Sequence, residues 1–252
     1  MQSEEDSFLA ERGLGPLRVW CDEQPRSAAL NMAIDEVLLR EMHESAGKVP
    51  ILRYYDWLRP SVSIGYFQRW RETMDICELE SLDVIRRWTG GGKVDHRKDQ
   101  TYTLVVSRDH PFYYLPPAKN YRWVHRQVVA ALQQIGTQAL VTDRVDSFSP
   151  RGDHSPNCFD RPVQFDVVDD DGGKVAGAAQ RRTRWGLLHQ GSVVEDGLSG
   201  DENKRAWQVS LAGLLSGKRS GVIDWQPPEQ WLQQAQRLAE EKYAPKSWLE
   251  KF

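Results

Sequence analysis

Several groups of residues in this 252-residue chain have types and spacings that suit chemistry. In Arg86-Arg87-Trp88-Thr89-Gly90-Gly91-Gly92-Lys93-Val94-Asp95-His96, three glycines follow a β-rich run. Lacking Cβ atoms, they let the backbone approach a ligand and offer N–H groups to a carbonyl or phosphate. The segment is neither the GxxxxGK[ST] of a P-loop nor a GxGxxG that opens a dinucleotide-binding helix. A plain glycine turn between strands fits the spacing equally well. Cys158 lies in Ser155-Pro156-Asn157-Cys158-Phe159-Asp160, an irregular stretch where a thiol is reachable, and a thiolate near a cation is a nucleophile at neutral pH. The competing reading is a small buried hydrophobe, the commoner fate of a lone cysteine. Lys174 begins a strand directly after a tight turn, and Ala176-Gly177-Ala178-Ala179 leave room beside it. A lysine there can polarise a carbonyl or lower the pKa of a thiol; otherwise it is an exposed hairpin lysine.

Other candidates are weaker. His96 and His189 sit near small residues, but no two histidines have HExxH or His-x-His spacing, so no metal is expected. Arg181-Arg182-Thr183-Arg184 reads first as a solvated turn and second as a contact for an acidic protein.

These residues need elements to position them. Ala28 to Met42 has a helical face of Leu30, Ile34, Val37, Leu38 and Met42, with Ser27 as N-cap, and predicts an amphipathic helix against a sheet. Runs at 51–55, 61–64, 83–87 and 101–106 predict four strands of a mixed or antiparallel sheet. Tyr121, Val124, Val128, Leu132 and Ile135 mark a second helix over about 118–135, stopped by Gly136. Phe165 to Gly177, with Asp171-Gly172-Gly173 at its turn, predicts a β-hairpin, and a strand follows at about 187–194. Two helices finish the chain, around Trp207/Leu211/Leu214 and Leu232/Ala235/Leu238. The expected fold is α+β, a mixed β-sheet flanked by helices. Residues 1–16 read as a flexible arm, 17–252 as one domain, and 195–252 as its helical tail.

Composition narrows the function classes. With 33 Lys+Arg against 36 Asp+Glu, the net charge of −3 provides no general basic field, so nucleic acid and anionic membranes are not expected partners. No run approaches the roughly 20 apolar residues of a spanning helix, and the acidic Met1-Gln2-Ser3-Glu4-Glu5-Asp6 does not look like a signal peptide. A cytoplasmic protein is expected. Three well-separated cysteines, Cys21, Cys77 and Cys158, suit a reducing compartment and no disulfide framework.

Taken in order, the motifs carry more than any one alone. Leu30-Asn31-Met32-Ala33-Ile34-Asp35-Glu36, Arg53-Tyr54-Tyr55 with Pro60-Ser61-Val62-Ser63-Ile64-Gly65, the Arg-Arg-x-Thr-Gly-Gly-Gly segment and Gly173-Lys174-Val175-Ala176-Gly177-Ala178-Ala179-Gln180-Arg181 follow one another. This order resembles the lipoate-protein ligase, octanoyltransferase and biotin protein ligase superfamily, over roughly Val19 to Val194. The resemblance implies an acyl chain in a tunnel beside the glycine loop, with Lys174 touching its carbonyl. Arg87, Thr89, Gly90, Gly91, Gly92, Val94, His96, Gly177 and Ala178 would line the site.

The superfamily holds two chemistries. Lipoate ligases use ATP with Mg²⁺ to form an acyl-adenylate and usually carry Arg-Asn-Asp before the hairpin. Cysteine-type octanoyltransferases take octanoate from an acyl carrier protein onto a cysteine, then pass it to a lysine of a lipoyl domain or of the glycine cleavage H protein. Here Asn157-Cys158-Phe159-Asp160 stands in place of Arg-Asn-Asp, and about 58 residues follow Val194, room for two helices rather than an accessory domain. Both features favour the transferase, with Cys158 as nucleophile, Lys174 as its electrostatic partner and no cofactor. The ATP-dependent ligase is the alternative, and a non-catalytic acyl-binding homologue a third reading. Lys93 and Asp95 inside the glycine segment, Arg97 where an acidic residue is usual, and the order His189-Gln190 depart from the transferase pattern.

Overall fold

The computed structural model describes residues 12–73, 81–143, 162–194, 198 and 200–252. Cys77 and Cys158 lie outside the described residues. The main sheet takes, in spatial order, β11 (Val222–Asp224), β1 (Leu17–Arg26), β2 (Ile51–Trp57), β6 (Gln100–Ser107), β10 (Gly186–Val193), β9 (Lys174–Arg182), β8 (Val167–Val168) and β7 (Leu140–Val141). It is mixed: β11, β1 and β2 run parallel, and the pairings from β2 onward are antiparallel. A smaller sheet, β4 (Asp83–Arg86), β3 (Ser61–Ile64) and β5 (Val94–Asp95), is separate from it.

Alternation along the strands sorts the core into two layers. Tyr102, Leu104 and Val106 of β6 join Leu187 and Val193 of β10 under α4 (Pro117–Gln134) and α5 (Asp201–Ser216), where Val124, Val128, Leu132, Trp207 and Leu211 are buried. Val105 and Leu188 point the other way, into a cluster with α1 (Ala28–Glu44), α6 (Glu229–Leu238) and the π-helical turn Ala239–Tyr243. Three short helices, α2 (Trp70–Thr73), α3 (Pro111–Tyr114) and α7 (Lys246–Leu249), complete the described elements. Ser27 caps α1, its Oγ accepting the Leu30 N–H at 3.3 Å. Among the described residues no helix is long and apolar enough to cross a membrane.

Four expectations need correction. The strands at 61–64 and 83–86 do not share a sheet with 51–57 and 100–107: Pro60, which has no N–H to extend a ladder, lies where the chain leaves β2 for the small sheet. Helix α1 is not one-faced; Asn31 and Asp35 are buried against the sheet, where they bond Arg53, and Glu36 is buried on the opposite side, where the π turn packs on it. The end of the expected arm is packed, with Leu14 2% exposed and its N–H donated to Leu215 O at 2.8 Å. The expected helical tail also supplies β11, whose three exposed residues carry no apolar alternation to announce a strand.

Two buried histidines set an acid limit on this packing. Desolvation is the leading cause that lowers His125 from 6.5 to about 4, against a smaller raising effect of Asp166. Desolvation and the nearby His125 also hold His189 well below its ordinary value. Between those values and 6.5 the unfolded chain binds more protons than the folded one, so stability rises with pH across that window. Folding stability should therefore fall as pH is lowered from 7 towards 5, by up to about 1.4 kcal/mol per pH unit for each histidine, and the melting temperature should fall with it. His125→Gln should flatten that slope; a wild-type slope retained in the variant would show that other groups cause it.

Candidate functional site

Small side chains on one face of the main sheet leave a cavity. Gly177 of β9 lies opposite Ser192 of β10, Ser192 opposite Thr101 of β6, and Thr101 opposite Tyr55 of β2. This row forms the floor. Ser63 of β3, Val94 of β5, Arg87 and His96 close it from the small sheet, and Met32 enters from α1. The enclosed space, including its opening to solvent, is about 430 Å³.

The roof is held by Arg87. Its guanidinium donates to Gly90 O at 3.1 and 2.6 Å, Gly92 O at 2.7 Å and Ser63 O at 3.2 Å. The glycine loop is thereby folded back on its own strand, with Gly91 at φ +85°, a conformation that favours glycine. Gly65 lies so close beneath that a Cβ there would stand 1.9 Å from Gly91 O. Thr89 faces the interior and donates to Gln190 Oε1 at 2.7 Å.

Lys174 sits at the β9 end of the floor. Its ammonium is 2.8 Å from Asp166 Oδ2, and the two side chains are 1% and 0% exposed. A Cβ on Gly177 would lie 2.5 Å from Lys174 Cε, so the glycine is what allows the lysine to fold over this strand. Asp166 also accepts from the Tyr121 hydroxyl at 2.5 Å and the Val163 N–H at 2.7 Å. Tyr121 in turn accepts the Ala178 N–H at 3.0 Å, on the edge of β9 beyond the last residue paired with β8. The hairpin that sets up this corner closes on Asp169, which takes the Gly173 N–H at 2.7 Å, with Gly172 at φ +85°.

His96 is fixed on both ring nitrogens. Nδ1 pairs with Asp99 Oδ2 at 2.8 Å and Nε2 with Ser63 Oγ at 2.8 Å. With Nδ1–H donated to the carboxylate, the neutral imidazole accepts at Nε2 from the serine hydroxyl. Arg97 turns outward to Asp95, at 2.5 Å, and their exposed pair leaves Asp99 to serve His96. Desolvation pushes the Asp95 pKa up, but the side-chain and backbone hydrogen bonds from Arg97 and its charge together leave it lowered. The reversed His189-Gln190 order is equally consequential. Gln190 faces the cavity and donates to Asp35 Oδ2 at 2.7 Å, whereas His189 points to the opposite layer, against Tyr102 and Gln180.

The structure thus brings Arg87, Val94, His96, Gly177 and Ala178 around one cavity, with Lys174 beside Gly177. Thr89, Gly90, Gly91 and Gly92 are not among its lining residues; Thr89 and the loop carbonyls hold it in shape from behind. Arg181 and Arg182 are not a solvated turn. They belong to β9, where Arg181 donates to Trp88 O at 3.0 Å and Arg182 to Asn120 Oδ1 at 2.5 Å. Sequence reasoning missed Asp166, Tyr121, Asp99 and the polar residues under the floor. The available signal was a carboxylate among apolar neighbours, as with Asp35 after Ile34.

The family model described as the lipoyl protein ligase A/B catalytic domain matches residues 27–204. The chain belongs to this family. It is 34% identical over 180 residues to an octanoyltransferase LipM of Halalkalibacterium halodurans, a match spanning 69% of this chain and 64% of that protein. It is 28% identical over 274 aligned positions to the octanoyltransferase LipM of Bacillus anthracis, spanning 91% of this chain and 97% of the relative. In three dimensions it resembles a lipoate-protein ligase A bound with ATP, with a TM-score of 0.69, 23% identity and coverage of 93% and 97% of the two chains. It also resembles the bipartite lipoate protein ligase of Thermoplasma acidophilum studied with its E2 lipoyl domain, with a TM-score of 0.68, 22% identity and coverage of 93% and 95%. These likenesses establish the lipoyl ligase A/B catalytic fold.

The Lys174–Asp166 pair gives a direct test of the corner's energetics. Lys174→Met leaves a buried carboxylate without its cation and should lower stability by about 3–5 kcal/mol in chemical denaturation. Adding Asp166→Asn should restore most of the loss. A double variant no more stable than Lys174→Met would mean that the pair is not coupled.

Proposed function

We propose that the protein is an octanoyltransferase of protein lipoylation, acting in the cytoplasm on an acyl carrier protein donor and a lipoyl-domain or glycine cleavage H protein acceptor. The observation that carries this reading is the cavity over Gly177, with Ala178, Ala179, Val94 and Met32 in its lining and the buried Lys174 ammonium folded beside Gly177. An aliphatic chain fits such a lining, and an ammonium suits the carbonyl that terminates the chain. The octanoyltransferase relatives support the same choice.

The reaction proceeds by two acyl transfers. The Cys158 thiolate attacks the octanoyl thioester carbonyl, the carbon–sulfur bond to the carrier breaks, and the carrier leaves as a thiol after taking up the proton that Cys158 released. One thioester replaces another at nearly equal energy, so no ATP enters. The ε-amine of the acceptor lysine then attacks the Cys158 thioester, an amide forms, and the cysteine sulfur departs. The lysine's proton returns to the thiolate or to solvent. Lys174⁺ stabilises the thiolate and the oxyanion of each tetrahedral intermediate, a contribution of the kind worth about 10²–10³ in rate when one such donor is removed. Asp166 pairs with the lysine and orients it.

The test is the intact mass of the purified protein after mixing with octanoyl-carrier protein in the absence of ATP. Wild type should gain one octanoyl group, labile to hydroxylamine, and Cys158→Ala should gain none. An unmodified wild type that instead lipoylates an acceptor from free lipoate, ATP and Mg²⁺ would establish the ligase. Failure in both reactions, with a carrier and acceptor competent in a control transfer, would leave the acyl-binding homologue.

A further inference from the structure

The cavity has a far wall as specific as its reacting end. The wall is made by Trp57, the last residue of β2, and His96, whose rings are stacked with centroids 4.0 Å apart and planes 21° apart. Both residues also line a second, larger groove on the outside, together with Leu58, Arg59, Pro60 and Leu198. The stacked pair is therefore the partition between the inner cavity and an outer depression of about 1540 Å³, solvent included.

The partition is braced rather than loosely packed. Trp57 Nε1 donates to Thr101 Oγ1 at 2.8 Å, and Thr101 Oγ1 donates to Asp99 Oδ2 at 3.0 Å. That same oxygen receives His96 Nδ1 at 2.8 Å and Ser192 Oγ at 2.6 Å. One buried carboxylate oxygen thus ties both rings of the wall to the β10 and β6 residues of the floor.

The position of the wall sets a length. From Gly177, where Lys174 lies, to Thr101, which holds Trp57, the sheet takes two strand steps of about 4.8 Å, close to 10 Å in all. An extended eight-carbon acyl chain, with bonds of about 1.5 Å in a zigzag, spans roughly 9 Å. Twelve carbons would run about 5 Å further and strike the rings.

We propose that the Trp57–His96 stack is the chain-length determinant of the acyl site, ending the cavity at about eight carbons, and that its removal joins the cavity to the outer groove. Trp57 is a specificity residue: it meets the methyl end of the chain and takes no part at the carbonyl. The proposal rests on the acyl-transfer reading, and its test separates the two.

Carrier proteins loaded with six-, eight-, ten- and twelve-carbon chains are offered to wild type, Trp57→Ala and Trp57→Leu, and kcat/KM is measured for each. Leucine keeps apolar bulk over His96, so it carries the comparison if the alanine variant does not fold. Wild type should peak at eight carbons and fall steeply by twelve. In either variant the ratio of twelve- to eight-carbon kcat/KM should rise by roughly tenfold or more, the scale on which an apolar pocket discriminates chain length. A wild type that uses twelve carbons as well as eight, or a folded variant with an unchanged length profile, overturns the wall while leaving acyl transfer intact. A wild type inactive on every chain, with carriers competent in a control transfer, overturns the acyl-transfer reading and the wall with it.

Discussion

The buried guanidinium of Arg53 is the interaction on which the rest of this structure depends. It is fully enclosed in the middle of β2, and a charge in that position is tolerable only if neighbours neutralise it and fill its donors. Asp22 of β1 and Asp35 of α1 do so at 2.8 and 2.9 Å, with Asn31 accepting at 2.7 Å and Tyr55 under the plane at 4.1 Å. Asp35 then passes the constraint on. It accepts from Thr103 of β6 and Gln190 of β10, each at 2.7 Å, and Gln190 holds Thr89 of the glycine segment. One buried cation thereby fixes the relative positions of α1, four neighbouring strands and the strand-to-loop turn over the cavity. The cavity floor is the next row of the same sheet, so its geometry follows from this network.

The two rows show how one sheet face serves two purposes. Ala179, Gln190, Thr103 and Arg53 lie opposite one another and pass from small to charged, giving the polar network beneath the site. Gly177, Ser192, Thr101 and Tyr55 lie two residues further along and remain small until the last, giving space instead. Charge at either end of that space has its partners: Lys174 is paired with Asp166, and Asp99 accepts from the His96 ring and the hydroxyls of Thr101 and Ser192. Arg87, which also lines the space, has its donors taken up by the carbonyls of Ser63, Gly90 and Gly92, so a chain of methylene groups can lie beside it without stripping those hydrogen bonds.

The C-terminal segment is a structural part of this arrangement. Arg86, at the end of β4, donates to the carbonyls of Tyr66 and Gln68 at 2.8 and 2.7 Å and to Trp248 and Leu249 at 3.0 and 3.1 Å. On the other side of α1, Glu36 accepts from the Tyr243 hydroxyl at 2.5 Å and pairs with Lys242 and Arg40. Desolvation by this packing is the main reason the Lys242 pKa is lowered, against the raising effect of Glu36. The segment after β10 thus anchors the strand that leads into the glycine loop, and its Tyr243 and Lys242 are what bury Glu36 on the side of α1 away from the sheet.

The local elements and the superfamily are legible in the order of residues alone. The bounds of β3 and α4, the hairpin with its Asp-Gly turn and the order of motifs are legible because capping, alternation and glycine chemistry act over a few neighbouring residues. So is the concentration of small residues around Lys174, which is why Gly177 and Ala178 could be singled out before any fold was known. Only the tertiary structure decided which of them meet. The division into two sheets, the Asp166 partner of Lys174, the service of His96 by Asp99 rather than residue 97 and the Trp57 wall all depend on strand register and on polar partners far apart in the chain, 155 residues for Gln190 and Asp35 and 206 for Lys242 and Glu36. Such pairings are invisible to local pattern because their cause is non-local: a buried charge must find its counter-charge wherever the packed layers happen to place one.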